Sequence, residues 1–117
     1  MKTLQQLLDT IHTTTDFTDV EHMKVNSKGL FDNTPLHVTV TWGDEESAEQ
    51  LIAAGADVNA QGEYGFTPLH EAISNNNPKL VALFLNNGAD PRIRNGDDCN
   101  DLANKLGNIQ LLLNKRT

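Results

Sequence analysis

Leu4, Leu7, Leu8 and Ile11 recur at i, i+3, i+4 and i+7, the spacing that lines one face of a helix. The pattern predicts a helix of about three turns that buries this stripe. Asp16 follows as the start of a second short helix carrying Phe17 and Val20 inward, so residues 1–24 read as a degenerate helix pair. Two further apolar runs, Leu51-Ile52-Ala53-Ala54 and Leu80-Val81-Ala82-Leu83-Phe84-Leu85, end shortly before Gly55 and Gly88. Glycine supplies the left-handed residue that ends a helix, which predicts helices near 47–54 and 78–86. Upstream of each run stands a Thr-Pro pair, Thr34-Pro35 and Thr67-Pro68. The hydroxyl can cap a helix start, and proline at the first helical position loses no bond, because its missing N–H would be unpaired there anyway. Helices are therefore expected near 35–41 and 68–75. Ala60-Gln61-Gly62-Glu63-Tyr64-Gly65 between the pairs carries turn chemistry.

Shifting the chain against itself shows one dominant period. Thr34-Pro35-Leu36-His37 returns as Thr67-Pro68-Leu69-His70, Val25-Asn26 as Val58-Asn59, and Gly55-Ala56-Asp57 as Gly88-Ala89-Asp90, all 33 residues apart. This period with its Thr-Pro-Leu-His start resembles the ankyrin repeat. The resemblance implies an all-α ankyrin-repeat solenoid of stacked helix-turn-helix units with hairpin fingers and degenerate terminal caps. Its units are an N-terminal helical cap at 1–26, repeats at 27–60 and 61–93, and a C-terminal capping repeat at 94–117. Thr34, Pro35, His37, Thr67, Pro68 and His70 are then structural motif residues, with both imidazoles bonding between neighbouring units. Toward the C terminus, the run from Gly96 to Asn108 resembles a terminal repeat without a gap. That frame shortens the preceding finger by two residues, places Asn100 where a core leucine is usual, and truncates the last helix to Ile109–Asn114. A competing frame keeps the 33-residue step, puts Leu102 at the leucine position and forces Lys105 into an alanine slot. The gapless frame is preferred.

The resemblance also implies where recognition occurs, since ankyrin proteins use their finger tips and the exposed side of the inner helices as a concave surface for other proteins. The residues that the repeat does not prescribe are Leu30, Phe31, Asp32, Asn33, Thr41 and Trp42 in the first unit. In the second they are Glu63, Tyr64, Phe66, Ser74 and Asn75, and in the third Arg94, Asn95 and Asp97. Four of the chain's six aromatic residues, Phe31, Trp42, Tyr64 and Phe66, fall in this set, and aromatic side chains are enriched among interface anchors. The expected partner-binding residues are Phe31, Asp32, Asn33, Trp42, Glu63, Tyr64, Phe66 and Asn75. Packing between adjacent fingers is the competing role for Phe31 and Phe66.

Composition narrows the functional classes. The 117 residues carry 16 acids and 9 bases, a net charge of −7, which argues against phosphate or nucleic acid as the main ligand. Charge is uneven: residues 1–63 hold eleven acids and three bases, a balance of −8, while the remainder is at +1. Asp44, Glu45, Glu46 and Glu49 cluster there, either as a helix start whose dipole favours acids or as a surface for a basic partner. The single cysteine, Cys99, permits no internal disulfide and points to a reducing compartment, hence the cytoplasm. Beside Asp97, Asp98 and Asp101 it reads as a small core residue rather than a nucleophile. His12 and His22 lack metal-ligand spacing. No phosphate loop and no membrane-spanning run is present in the sequence. The expectation is a non-enzymatic module without cofactor or metal, monomeric when unbound. At this length it leaves no room for an effector domain and so would act by occupancy. An inhibitor or immunity-type protein for a basic toxin or nuclease is the leading specific form; a structural or assembly subunit or adaptor is the alternative.

Overall fold

The computed structural model describes residues 3–14, 17–94, 96 and 98–107. Within them the chain forms six α-helices and no strand: α1 (Leu4–His12), α2 (Pro35–Trp42), α3 (Glu45–Ala53), α4 (Pro68–Ser74), α5 (Pro78–Asn86) and α6 (Cys99–Leu106). Helices α2, α4 and α6 stack as an inner layer, α3 and α5 as an outer layer, and α1 closes the end by packing on both α2 and α3. This is the all-α solenoid expected from the repeat. Leu36, Leu51, Leu69, Ile73, Leu80 and Phe84 are fully buried between the layers.

Each start follows from local chemistry. Thr67 Oγ1 accepts from His70 N at 3.2 Å, while Thr67 N donates to His70 Nδ1 at 3.2 Å. Thr34 N likewise donates to His37 Nδ1 at 3.0 Å. Helix α1 begins with a reciprocal cap, in which Thr3 Oγ1 accepts from Gln6 N and Thr3 N donates to Gln6 Oε1. Asp44 caps α3 by accepting from both Ser47 N and Ser47 Oγ. Glu45 and Glu46 therefore lie in a first turn, where the helix dipole favours them. Gly55 and Gly88 stand one residue beyond the caps Ala54 and Asn87, at φ +100° and +90°. Both adopt a conformation that disfavours a side chain.

The N-terminal cap differs from expectation. Phe17 is fully buried, but it lies in 3-10 geometry followed by a turn at 18–19, so the described residues 17–20 hold no α-helix. Phe17 N donates to Thr14 O and Val20 N to Phe17 O, i→i−3 bonds of the tighter helical type. The predicted start at Asp16 lies outside the described residues. A ring nitrogen of His12 meets Val20 O and ties this turn back to α1.

At the other end α6 is capped by Asp98, whose side chain accepts from Asp101 N at 2.9 Å. The cap falls 31 residues after Thr67, and Ala103 is buried where Ala72 is buried one unit earlier. The period is thus shortened by two residues in the third finger. The truncated helix expected at 109–114, the variable positions Asn95 and Asp97, and the side chains of Asn100 and Lys105 lie outside the described residues.

The 33-residue echoes have a bonding explanation. Asn26 Oδ1 accepts from Asp57 N at 2.8 Å, and Asn59 Oδ1 accepts from Asp90 N at 2.8 Å. Their amide nitrogens donate to Gly55 O and Gly88 O. Each Val-Asn pair is stitched to the Gly-Ala-Asp loop of the next unit.

Candidate functional site

The fingers are built by a repeated backbone pattern. Gly29 N donates to Asn33 O at 2.9 Å and Gly62 N to Phe66 O at 2.7 Å; inside each loop Asp32 N reaches Gly29 O and Gly65 N reaches Gly62 O. Closing so short a loop requires left-handed residues, found at Asp32 (φ +66°), Tyr64 (φ +58°) and Gly65 (φ +77°). Tyr64 adopts this conformation without being glycine, which carries strain, and its side chain is thrown out to 82% exposure.

The second finger is held from behind. Asn33 Oδ1 accepts from Glu63 N at 3.0 Å, and His37 Nε2 donates to Phe66 O at 2.9 Å. Since His37 Nδ1 accepts from Thr34 N, the imidazole is the neutral form with its proton on Nε2. The Phe66 ring stacks on His70, 5.6 Å between centroids and 8° from parallel. Asn33 is thus committed to the neighbouring finger, and Phe66 is half-buried, combining a packing role with one edge on the surface.

In front of this finger lies a groove of about 550 Å³. Its walls are the end of α2 with Thr41, Trp42 and the capping Gly43, the finger with Glu63, Tyr64 and Phe66, and α4 with Glu71, Ser74 and the capping Asn75. Of the expected binding residues, Trp42, Glu63, Tyr64, Phe66 and Asn75 come together here. Phe31, Asp32 and Asn33 belong to the first finger and do not line it. The Phe31 tip, with Leu30, is nonetheless half-exposed. Sequence reasoning missed Glu71, although it sits one helical turn before Asn75, and that i, i+4 spacing was available as a signal.

Arg94 is occupied elsewhere. Its guanidinium reaches Gly96 O at 3.1 Å, Asp101 Oδ2 at 3.3 Å and Asp98 Oδ2 at 3.6 Å, fastening the terminal cap. Cys99 is fully buried. Burial first, then the adjacent Asp98 carboxylate, pushes its thiol up to about 12, against a smaller opposing effect of its hydrogen bond with Thr67. That thiol is poorly suited to nucleophilic chemistry. Among the described residues, no group of three or more His, Cys, Asp or Glu is placed to hold a metal ion, and no helix is long and apolar enough to cross a membrane.

Comparison with known proteins agrees with this geometry. A family model described as ankyrin repeats (3 copies) matches residues 2–95. Mouse Rabankyrin-5 is 44% identical over 52 residues, a stretch covering 44% of this chain and 4% of that protein. The chain therefore corresponds to a small part of that relative.

Proposed function

Because the chain belongs to the ankyrin repeat family, whose repeats are protein–protein interaction modules and generally not enzymes, we propose that it binds another protein in the groove fronted by Trp42 and Tyr64. One observation carries this reading. Among the described residues, the exposed large hydrophobics Leu30, Phe31, Trp42 and Tyr64 all stand on the fingers or at the end of an inner helix, and such clustered apolar exposure marks an interaction surface. Glu63 and Asn75 flank them, and Phe66 supplies the floor. The partner carries a basic patch, consistent with the −8 balance of residues 1–63. Binding is by occupancy, without catalysis, by a chain that is monomeric when free. The specific form we favour is an inhibitor or immunity-type protein acting on a basic toxin or nuclease in the cytoplasm; the acidic half and the lone thiol support it.

The test is capture of proteins from native lysate on the immobilised chain at low salt, repeated with Trp42→Ala and Tyr64→Ala. Each variant is expected to keep its unfolding midpoint and to lose about 30-fold in affinity for the captured protein, equivalent to roughly 2 kcal/mol. Unchanged capture by both variants, or unfolding of both, refutes the assignment of this face.

A further inference from the structure

We propose that the tips of the two complete fingers hold an extended basic segment of the partner in polyproline II conformation, with cationic side chains three residues apart, one on each finger. The inference deepens the proposed function and rests on it, naming the chemistry of the basic partner and adding the first finger, which does not line the groove. Phe31 and Tyr64 stand 33 residues apart, at the same place in two loops closed by the same bonds. These run from Gly29 N to Asn33 O and Asp32 N to Gly29 O in one, and from Gly62 N to Phe66 O and Gly65 N to Gly62 O in the other. Both rings are exposed, and Leu30 beside Phe31 extends the apolar surface.

Charge decides what covers these rings. Each tip pairs its ring with a carboxylate, Asp32 after Phe31 and Glu63 before Tyr64. Among the described residues no ion pair or hydrogen bond engages either carboxylate. The loops 29–33 and 62–66 contain no Lys, Arg or His, and the adjoining Lys28 donates from Nζ to Gln61 O at 3.4 Å. An apolar segment would cover the rings and strip water from the carboxylates without replacing it. A cationic side chain instead lays its stem on the apolar surface and its charge between ring face and carboxylate, where both attract it.

Spacing decides the conformation. Each finger leads into an inner helix, α2 or α4, and these two pack together. Packed helices lie about 8–10 Å apart, so the tips repeat at about that step. The bond from Glu63 N to Asn33 Oδ1 holds them side by side. A polyproline II segment rises about 3.1 Å per residue with three residues per turn, which returns a side chain to the same side about every 9 Å. A β-strand does so at about 7 or 13 Å. A strand would also need ladder partners, yet Gly62, Glu63, Gly65 and Phe66 all spend their N–H groups within the fold. An α-helix matches only at every seventh residue, and so short a helix is unstable alone. The row ends after two positions, because the third finger is two residues shorter and its Arg94 guanidinium is paired with Asp98 and Asp101.

The experiment titrates the full chain with Ac-Pro-Arg-Pro-Pro-Arg-Pro-amide and with the isomer Ac-Pro-Arg-Pro-Arg-Pro-Pro-amide, whose cations stand two residues apart. A third peptide carries citrulline at both arginines of the first, keeping the shape and removing the charge. Two-dimensional NMR shifts of the amides of Phe31, Asp32, Glu63 and Tyr64 report binding. Saturation by the first peptide is expected near about 1 mM, about threefold or more tighter than the isomer and about tenfold tighter than the citrulline peptide. Asp32→Asn and Glu63→Gln should each weaken it about threefold. Phe31→Leu, which keeps the apolar bulk and removes the ring, should cost a similar factor, whereas Glu45→Gln on α3 should leave binding unchanged. All four variants are expected to keep the unfolding midpoint, since none alters a fully buried side chain. Equal binding of the two isomers, equal binding of the citrulline peptide, an equal effect of Glu45→Gln, shifts centred elsewhere, or no saturation by about 20 mM would each overturn the proposal. If protein capture is lost with Trp42→Ala but ignores Phe31→Leu and Asp32→Asn, the groove reading stands and the finger-tip segment falls. If the first peptide binds with these preferences while protein capture ignores Trp42→Ala and Tyr64→Ala, the finger-tip site stands and the groove reading falls.

Discussion

Replacing Gly62 with alanine should destabilise the solenoid, chiefly through what a side chain would meet there, since its φ of −104° lies outside the left-handed region. A new Cβ would run into Asn33 Oδ1 and lie 2.9 Å from His37 Nε2. These are the two side chains that tie the second finger to the first unit, through Glu63 N at 3.0 Å and Phe66 O at 2.9 Å. Displacing Asn33 forfeits a half-buried hydrogen bond, about 1 kcal/mol, and displacing His37 leaves a buried ring donor unsatisfied, about 1–2 kcal/mol. The expected cost is therefore roughly 2–3 kcal/mol, a large share of the 5–8 kcal/mol or so that a domain of this size has. An alanine that fitted would instead stabilise by about 0.4–1 kcal/mol through the unfolded chain, so the sign of the effect separates the two accounts. Urea unfolding followed by circular dichroism measures it. The double variant Gly62→Ala/Asn33→Ala removes the closest clash and should recover about 1 kcal/mol relative to additivity. A stabilised Gly62→Ala protein, or strict additivity with Asn33→Ala, would refute the proposed tie between the fingers.

Tyr64→Gly should raise stability by about 0.5–1 kcal/mol, because φ +58° suits glycine and strains an aromatic residue; thermal unfolding that shows a loss would contradict this. Cys99, with its thiol pushed up to about 12, keeps its proton in the folded state at pH values where the unfolded thiol loses it. Its contribution is thus present below the ordinary thiol value near 9 and disappears as pH rises from there toward 12, by about 1 kcal/mol between pH 9 and 10. Urea midpoints of the native chain should fall over that interval more than those of Cys99→Ala, and a thiol reagent at pH 8 should react only on unfolding; prompt reaction would contradict the burial.

What the sequence by itself determined is what depends on bonds within about one helical turn. Thr67 with Pro68 and His70, Asp44 with Ser47, and Gly55 at φ +100° act on their own backbone, so residue type and order suffice to place α2 to α5 within two residues. The 33-residue period added the stacking, because identical units can bury their apolar faces only against one another. Phe17 shows the limit even locally: its burial was legible as an apolar residue, but the chain there closes by i→i−3 turns, since a residue needs only one fixed approach to reach a core. The candidate site was legible in part, as a set of positions on a family surface. Only the tertiary structure decided that Asn33 spends its amide oxygen on Glu63 N, that Arg94 fastens the terminal cap, and that Glu71 joins Trp42 and Tyr64 at one groove. The bonds that place the second finger, Asn33 to Glu63 and His37 to Phe66, join residues 30 and 29 apart, and at that separation partners are chosen by how the units dock rather than by which residues are neighbours along the chain.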